Sequence, residues 1–282
     1  MPGYPRPRTL PPTPLPEVAA LLGVPVPAVD VTIGGVTHAS GSVCPGDLYA
    51  GLPGARHHGA RFAAAAAAAG AAALLTDAAG AELAAGAGLP TLVVDDPRAV
   101  LGPVAHRIYG EPTRRLQMIG ITGTAGKTST AYLIAAGLTA AGRTPGVIGT
   151  VETRLGDLVI DSARTTPEAP DLHALLAVGL ERGVDAVVME VSSHALALGR
   201  VGGVHFAVGG FTNLGVDHLD FHTDLADYFA AKAKLFDGRC DIEIINVDGE
   251  AGSRLLSPRS QRYAGPGGPE ADWYPTDVAA DG

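Results

Sequence analysis

The residues best equipped for chemistry are in the run Gly120-Ile121-Thr122-Gly123-Thr124-Ala125-Gly126-Lys127-Thr128-Ser129-Thr130, between a β-like stretch and a helix-like one. Backbone N–H groups of a glycine turn that enters a helix N-terminus can wrap phosphate oxygens. The lysine ammonium can then reach the terminal phosphates, and the next hydroxyl can ligate Mg2+. The spacing points to an ATP or GTP site made by Gly123, Thr124, Ala125, Gly126, Lys127, Thr128 and Ser129. Ile121 stands where the strict eight-residue pattern has its first glycine, so the match is to the shorter Gly-x-x-Gly-Lys-Thr form. Such a loop calls for a carboxylate at the end of a neighbouring hydrophobic strand, and Ala186-Val187-Val188-Met189-Glu190 supplies it. A carboxylate after four apolar residues is costly to bury alone, so a metal or a hydrogen-bonding partner is expected beside Glu190.

A second cluster, Asp217-His218-Leu219-Asp220-Phe221-His222, follows a strand-like segment. Its imidazoles suit a transition metal and its carboxylates suit magnesium, while a solvated acidic helix start would read the same way. On the helix predicted over about Leu225 to Phe236, Leu225, Phe229, Lys232 and Phe236 share a wedge of about 60°, with Lys234 on the opposite side. Lys232 is therefore expected to point inward. An inward lysine can snorkel to solvent, or its amine, with a lowered pKa, can capture CO2 as a carbamate that presents carboxylate-like oxygens to a metal.

These side chains need a scaffold, and the 282 residues, 46% hydrophobic and 17% charged, suffice for about two domains. The net charge of −9 excludes a generally basic nucleic-acid footprint. Cys44 and Cys240 lie far apart, as in a protein of the reducing cytoplasm, and neither a membrane span nor a signal peptide is apparent. Residues 1–16, with seven prolines, read as a disordered arm. Residues 17–112 read as a small α/β domain, with strands at Val31–Val36, Ala73–Thr76 and Thr91–Val94 and helices near Ala60–Ala69 and Arg98–Tyr109. The charged stretch Gly110–Arg115 is the expected boundary. From there to residue 282, strands at Leu116–Thr122, Pro145–Val151, Asp185–Val191, Phe206–Thr212 and Ile242–Val247 alternate with helices. That pattern predicts a mostly parallel sheet with its site at the carboxyl ends of the strands. The Gly-, Pro- and Ser-rich tail from Ser257 shows neither helical nor strand-like closure, as though the domain were cut short.

The chain resembles the Mur ligases of peptidoglycan synthesis, in particular those that add the third residue of the stem peptide. The resemblance is carried by Gly123–Thr128, Thr165-Thr166-Pro167-Glu168, Met189-Glu190-Val191-Ser192-Ser193-His194, Phe211–Leu214, Asp217–His222 and Ala231-Lys232, and more weakly by Pro45–Tyr49. It implies an N-terminal uridine-nucleotide-binding domain, a P-loop NTPase-like central domain, and a C-terminal amino-acid-binding domain that this sequence does not contain. It also implies an ATP-dependent ligase in which ATP phosphorylates the D-glutamyl carboxylate of UDP-N-acetylmuramoyl-dipeptide. The acyl phosphate is then attacked by the amine of meso-diaminopimelate or L-lysine. By the same resemblance Lys127 holds phosphates, Thr128 and Glu190 position one Mg2+, and His218 with carbamylated Lys232 positions another. Thr165, Thr166, Ser192 and Arg200 hold the muramoyl-peptide, and Ser40 lies where the uridine diphosphate is gripped. The chain departs from the family at Ala125, at Gly215-Val216 and at Ala39-Ser40-Gly41, where Asp-Ser-Arg is usual. Folylpolyglutamate synthetases share the ligase core, but the paired threonines and Glu-Val-Ser-Ser-His favour the muramoyl substrate. A chain without the third domain would bind nucleotide or UDP-sugar without completing ligation, since an open site leaves the acyl phosphate exposed to water.

Overall fold

The computed structural model describes Tyr4 to Pro275. The chain divides into two units. The first holds the chain up to Pro112 together with Glu168–Glu181 and Gly199–Val204. The second holds Thr113–Pro167, Arg182–Leu198 and the chain from His205 onward.

In the first unit β1 (Thr13–Pro14) leads into α1 (Leu15–Leu22) and pairs antiparallel with β2 (Thr32–Ile33). A parallel sheet follows, β3 (Gly35–Thr37), β4 (Asp47–Gly51), β5 (Ala73–Thr76) and β6 (Thr91–Val93), in that order. Its helices are α2 (Ala63–Ala68), α3 (Ala78–Leu83) and α4 (Pro97–Ile108). The caps are local: Asp77 accepts from the Gly80 amide, and Asp96 from those of Arg98 and Ala99. Leu48, Leu75 and Leu92 of the sheet pack with Val18, Leu101 and Val104 of the helices.

Three expectations change here. The run Val31–Val36 breaks into β2 and β3 because Gly34 turns its amide to Gly46 O instead of continuing a ladder. The alanine helix begins as a 3-10 turn over Gly59–Phe62. The segment read as a disordered arm is anchored at several points: Leu10 lies against the core, Arg6 pairs with Asp47 at 2.5 Å, and the Thr9 hydroxyl donates to Glu181. Proline stiffness lets the segment lie extended, and these side chains anchor it. Residues 1–3 fall outside the described residues.

The second unit runs β7 (Gln117–Thr122), α5 (Lys127–Ala140), β8 (Pro145–Ile148), β9 (Glu152–Leu155) and β10 (Leu158–Asp161). After α6 (Ala169–Glu181), which groups with the first unit, come β11 (Ala186–Glu190), α7 (Ser193–Ala197), β12 (Phe206–Phe211), α8 (Leu225–Ala233), β13 (Cys240–Asn246), α9 (Glu250–Ser253) and β14 (Ser260–Tyr263). The sheet order is β10-β9-β8-β11-β7-β12-β13-β14, parallel except for the β8-β9-β10 edge. Register sets the site: Glu190 lies opposite Ile121 and Phe211 opposite Thr122, so β11, β7 and β12 end together. Ala131 and Ala135 are the buried residues of α5, and such small side chains let a helix lie close on a sheet.

The tail from Ser257 corrects another expectation, since β14 adds a parallel strand beside β13. The serines that suggested a loop are taken up by the buried carboxylate of Glu243, which accepts from the hydroxyls of Ser257 and Ser260. Residues 276–282 lie outside the described residues. Helix α6, expected as part of the central domain, packs on α4 instead. Leu172, His173, Leu175 and Leu176 are all fully buried in it.

Candidate active site

Strand β7 ends at Thr122 and the chain must turn sharply into α5. Gly123 takes φ +143° and Gly126 φ +85°, backbone that side-chain-bearing residues rarely adopt. At Gly123 space forbids a side chain as well, because a Cβ there would lie 1.9 Å from Thr212 Oγ1. The turn is clamped by the end of β12. Thr124 N donates to Asn213 O, Ala125 N donates to Asn213 Oδ1 at 3.0 Å, and Asn213 Nδ2 and Thr212 Oγ1 both donate to Ala125 O. The family departure at Ala125 therefore leaves the backbone cradle intact. The Phe211–Leu214 motif gives Asn213 no role by itself; its amide, able to donate and accept at once, is what fits it to this clamp.

Beside the turn opens a cavity of about 230 Å³ whose lining includes Thr124, Gly126, Lys127, Thr128, Glu190 and Lys232. Thr165, Ser192 and His218 also line it, together with Thr150, which lies in no motif, and Ser193, to which the motif that holds it assigns no role. Gly123 and Ala125 form the turn behind this lining, and Ser129 is exposed on α5 outside it. Ser40 and Arg200 belong to the first unit. Ser40 opens a short 3-10 turn, and Arg200 forms an ion pair with Glu168 at 2.9 Å.

Glu190 is 1% exposed. Its Oε1 accepts from Thr128 Oγ1 at 3.0 Å and from Thr150 N at 2.8 Å, and its Oε2 from Thr150 Oγ1 at 3.2 Å. Burial of the carboxylate is thus offset by three donors, two of them from Thr150 in the bend after β8, a residue in no motif. The two paired threonines differ. Thr165 Oγ1 contacts Thr150 Oγ1, whereas Thr166 is buried and structural, donating to Glu190 O and accepting from Ser192 N. Ser192 itself caps α7 through Ala195 N.

Lys232 is 1% exposed, as the wedge predicted, although Leu225 at the helix start remains 42% exposed. Its Nζ donates to Gly123 O at 2.8 Å and lies 4.2 Å from the Tyr228 ring centroid. Lys127 Nζ donates to the same carbonyl and to Thr124 O, both at 2.9 Å. Burial lowers the Lys232 pKa, Lys127 lowers it further by repulsion, and Asp217 opposes them only in part, leaving it at about 7. Burial also lowers Lys127, with Glu190 and Asp217 pulling the other way. The cavity therefore holds two amines and one carboxylate, a charge balance that favours an anionic guest.

Among the described residues no group of three or more His, Cys, Asp or Glu gathers as a metal cage. Mg2+ rarely uses such cages: one or two carboxylates, a hydroxyl and substrate phosphates serve it, and Glu190 with Thr128 fits that donor set. His218 and Lys232 offer an imidazole and an amine, and only a carbamate on Lys232 would add oxygen donors there.

The strand, glycine turn and helix, with a buried carboxylate at the adjacent strand end of a mostly parallel sheet, define an α/β protein with a P-loop-like central unit. Residues 121–264 match the Mur ligase middle domain, and residues 32–109 match the model described as "Mur ligase family, catalytic domain". The chain belongs to the Mur ligase family. It is 56% and 54% identical, over 281 residues each, to the UDP-N-acetylmuramoyl-L-alanyl-D-glutamate--2,6-diaminopimelate ligases of Streptomyces coelicolor and Streptomyces avermitilis. Each match covers 98% of this chain and 55% of the relative, so the chain spans about half the length of those curated relatives. A solved structure of a ligase of the same name superposes with a TM-score of 0.77 at 24% identity, over 93% of this chain and 54% of that one, which supports the fold. Among the described residues no helix is long and apolar enough to cross a membrane.

Proposed function

We propose that this chain provides the nucleotide-binding and muramoyl-peptide-binding parts of a ligase that adds meso-diaminopimelate to UDP-N-acetylmuramoyl-L-Ala-D-Glu in the cytoplasm. The observation that carries this reading is the cavity in which a clamped glycine turn, Lys127 and buried Glu190 face one another at the strand ends. The substrate is taken from the names of the Streptomyces relatives, which join 2,6-diaminopimelate to UDP-N-acetylmuramoyl-L-alanyl-D-glutamate. An oxygen of the D-glutamyl carboxylate attacks the terminal phosphorus of ATP and ADP leaves. The diaminopimelate amine then attacks the acyl carbon and phosphate leaves, giving the amide.

In this reading Lys127 and the amides of the glycine turn bind and orient the phosphates, with the ammonium turning from Gly123 O and Thr124 O to the incoming anion. Thr128 and Glu190 would hold one Mg2+, and His218 with a carbamate on Lys232 would hold a second. Such ions supply charge neutralisation for the transferring phosphoryl group. At a pKa of about 7 a large share of Lys232 is neutral near physiological pH. Its lone pair can attack CO2, forming an N–C bond and releasing one proton. Thr165, Ser192 and Arg200 are assigned to the muramoyl-peptide, Thr166 to fixing Ser192, and Ser40 to the uridine diphosphate.

Titration calorimetry with UDP-N-acetylmuramoyl-L-Ala-D-Glu tests the substrate class. Saturable binding is expected, with at least tenfold weaker binding of UDP-N-acetylglucosamine. Equal affinity for the two, or none for the dipeptide, would contradict the assignment.

A further inference from the structure

His218 is one of two residues other than glycine with positive φ among those described, at +54°, and its ring lines the cavity. Left-handed backbone at a residue with a side chain persists where the surroundings fix it. Its exposed side chain, 43% accessible and 3.5 Å from Asp217, offers little fixation of its own. The turn that follows does. His218 O accepts from Phe221 N at 3.1 Å and from His222 N at 3.0 Å, closing a single turn whose far end is the His222 ring.

That ring is 2% exposed and held from both sides. Asp227, at the start of α8, lies 3.1 Å from Nδ1 through Oδ2, and Ser193, at the start of α7, lies 3.0 Å from Nε2 through Oγ. Thr223 N and the His222 ring both donate to Asp227 and lower its pKa. Beside an ionised Asp227 the Nδ1–H donates to the carboxylate, and Nε2 pairs with the Ser193 hydroxyl. The imidazole thus joins the starts of two helices and fixes the turn that carries His218. His194 completes the packing, with its ring centroid 4.8 Å from that of His218 and 5.7 Å from that of His222.

We propose that His222, held by Ser193 and Asp227, is a positioning residue that keeps the His218 turn in its left-handed conformation and so presents the His218 ring to the phosphate cavity. His222 itself lies behind the cavity wall and touches no reacting group.

Two measurements decide it. The first, amide hydrogen exchange, is independent of any ligand. His222→Ala should speed exchange at Phe221 and His222 by about tenfold or more, and His222→Gln, whose amide can still reach Ser193, should restore most of the protection. Peptides of the first unit should not change. If His222→Ala fails to fold, Ser193→Ala carries the same test with a smaller expected effect. Unchanged protection in the variant that folds, or loss of protection spread over the whole chain, would overturn the proposal.

The second measurement, Mg-ATP affinity, rests on the nucleotide-site reading. His218→Ala and His222→Ala should each weaken binding, the double variant should bind no more weakly than His218→Ala alone, and His222→Gln should bind nearly as well as the parent. Additive losses would show that His222 does not act through His218. Failure of the parent chain to bind Mg-ATP would refute the nucleotide-site reading and leave the exchange result to decide the role of His222.

Discussion

Lys232 sits with its amine on the Gly123 carbonyl and under the charge of Lys127, and its pKa of about 7 lies far below the value of a solvated lysine. The sign of the consequence is fixed by linkage. Below about pH 7 the amine is charged in both folded and unfolded chains, and the folded state bears the full cost of burying that charge. As pH rises toward 10.5 the unfolded chain still holds the proton that the folded chain has released, so stability climbs. Lys232→Met should therefore stabilise the protein below pH 7, by an amount on the order of a few kcal/mol, and lose that advantage toward pH 10.5. Urea denaturation at several pH values reads this directly. A variant whose stability difference from the parent is flat with pH would contradict the lowered pKa. Carbon-13 bicarbonate should also give a carbamate resonance in the parent that is absent from Lys232→Met. The inward direction of Lys232 was readable from helical spacing alone. The shared carbonyl was not, because Gly123 and Lys232 lie 109 residues apart in the chain.

The elements were unevenly visible in the sequence. β7, β11 and β12 stand out as apolar runs because both faces of a central parallel strand are covered. The edge hairpin β9-β10 escaped, since Glu152-Thr153-Arg154-Leu155 opens with three consecutive polar residues and lies close to the preceding strand. Strand β14 escaped because Ser260, together with Ser257 just before the strand, answers to a buried glutamate from β13. Helix α6 hides a different feature. His173 is fully buried, its Nε2–H donates to Gly202 O at 2.8 Å, and burial, only partly offset by that bond, lowers its pKa to about 3. The unfolded chain takes up this proton near pH 6.5, so the stabilising share of neutral His173 is complete above that pH and is lost progressively down to pH 3. By pH 5 the loss should be roughly 2 kcal/mol. His173→Gln should flatten that part of the pH profile in urea denaturation. An unchanged acid slope would place the titrating group elsewhere.

For the molecule as a whole, composition and patterning were enough for an α/β chain with a mostly parallel central sheet, and the motifs were enough for the family. What they could not give is the way distant segments return to one place. Glu168–Glu181 and Gly199–Val204 group with the first unit although they are interleaved in sequence with the second. Glu190 is satisfied by Thr128 and Thr150, which lie 62 and 40 residues away along the chain. The glycine turn depends on Thr212 and Asn213, about ninety residues beyond it. Those returns turn a short glycine pattern into a cavity lined by two amines and one carboxylate. The most direct test of the account is titration calorimetry of the folded chain with Mg-ATP beside Lys127→Ala. Saturable binding by the parent is predicted, with a loss of about 1.5 to 3 kcal/mol, roughly ten- to a hundredfold, in the variant. No saturable binding by the folded parent, or equal affinity in the two proteins, would contradict it.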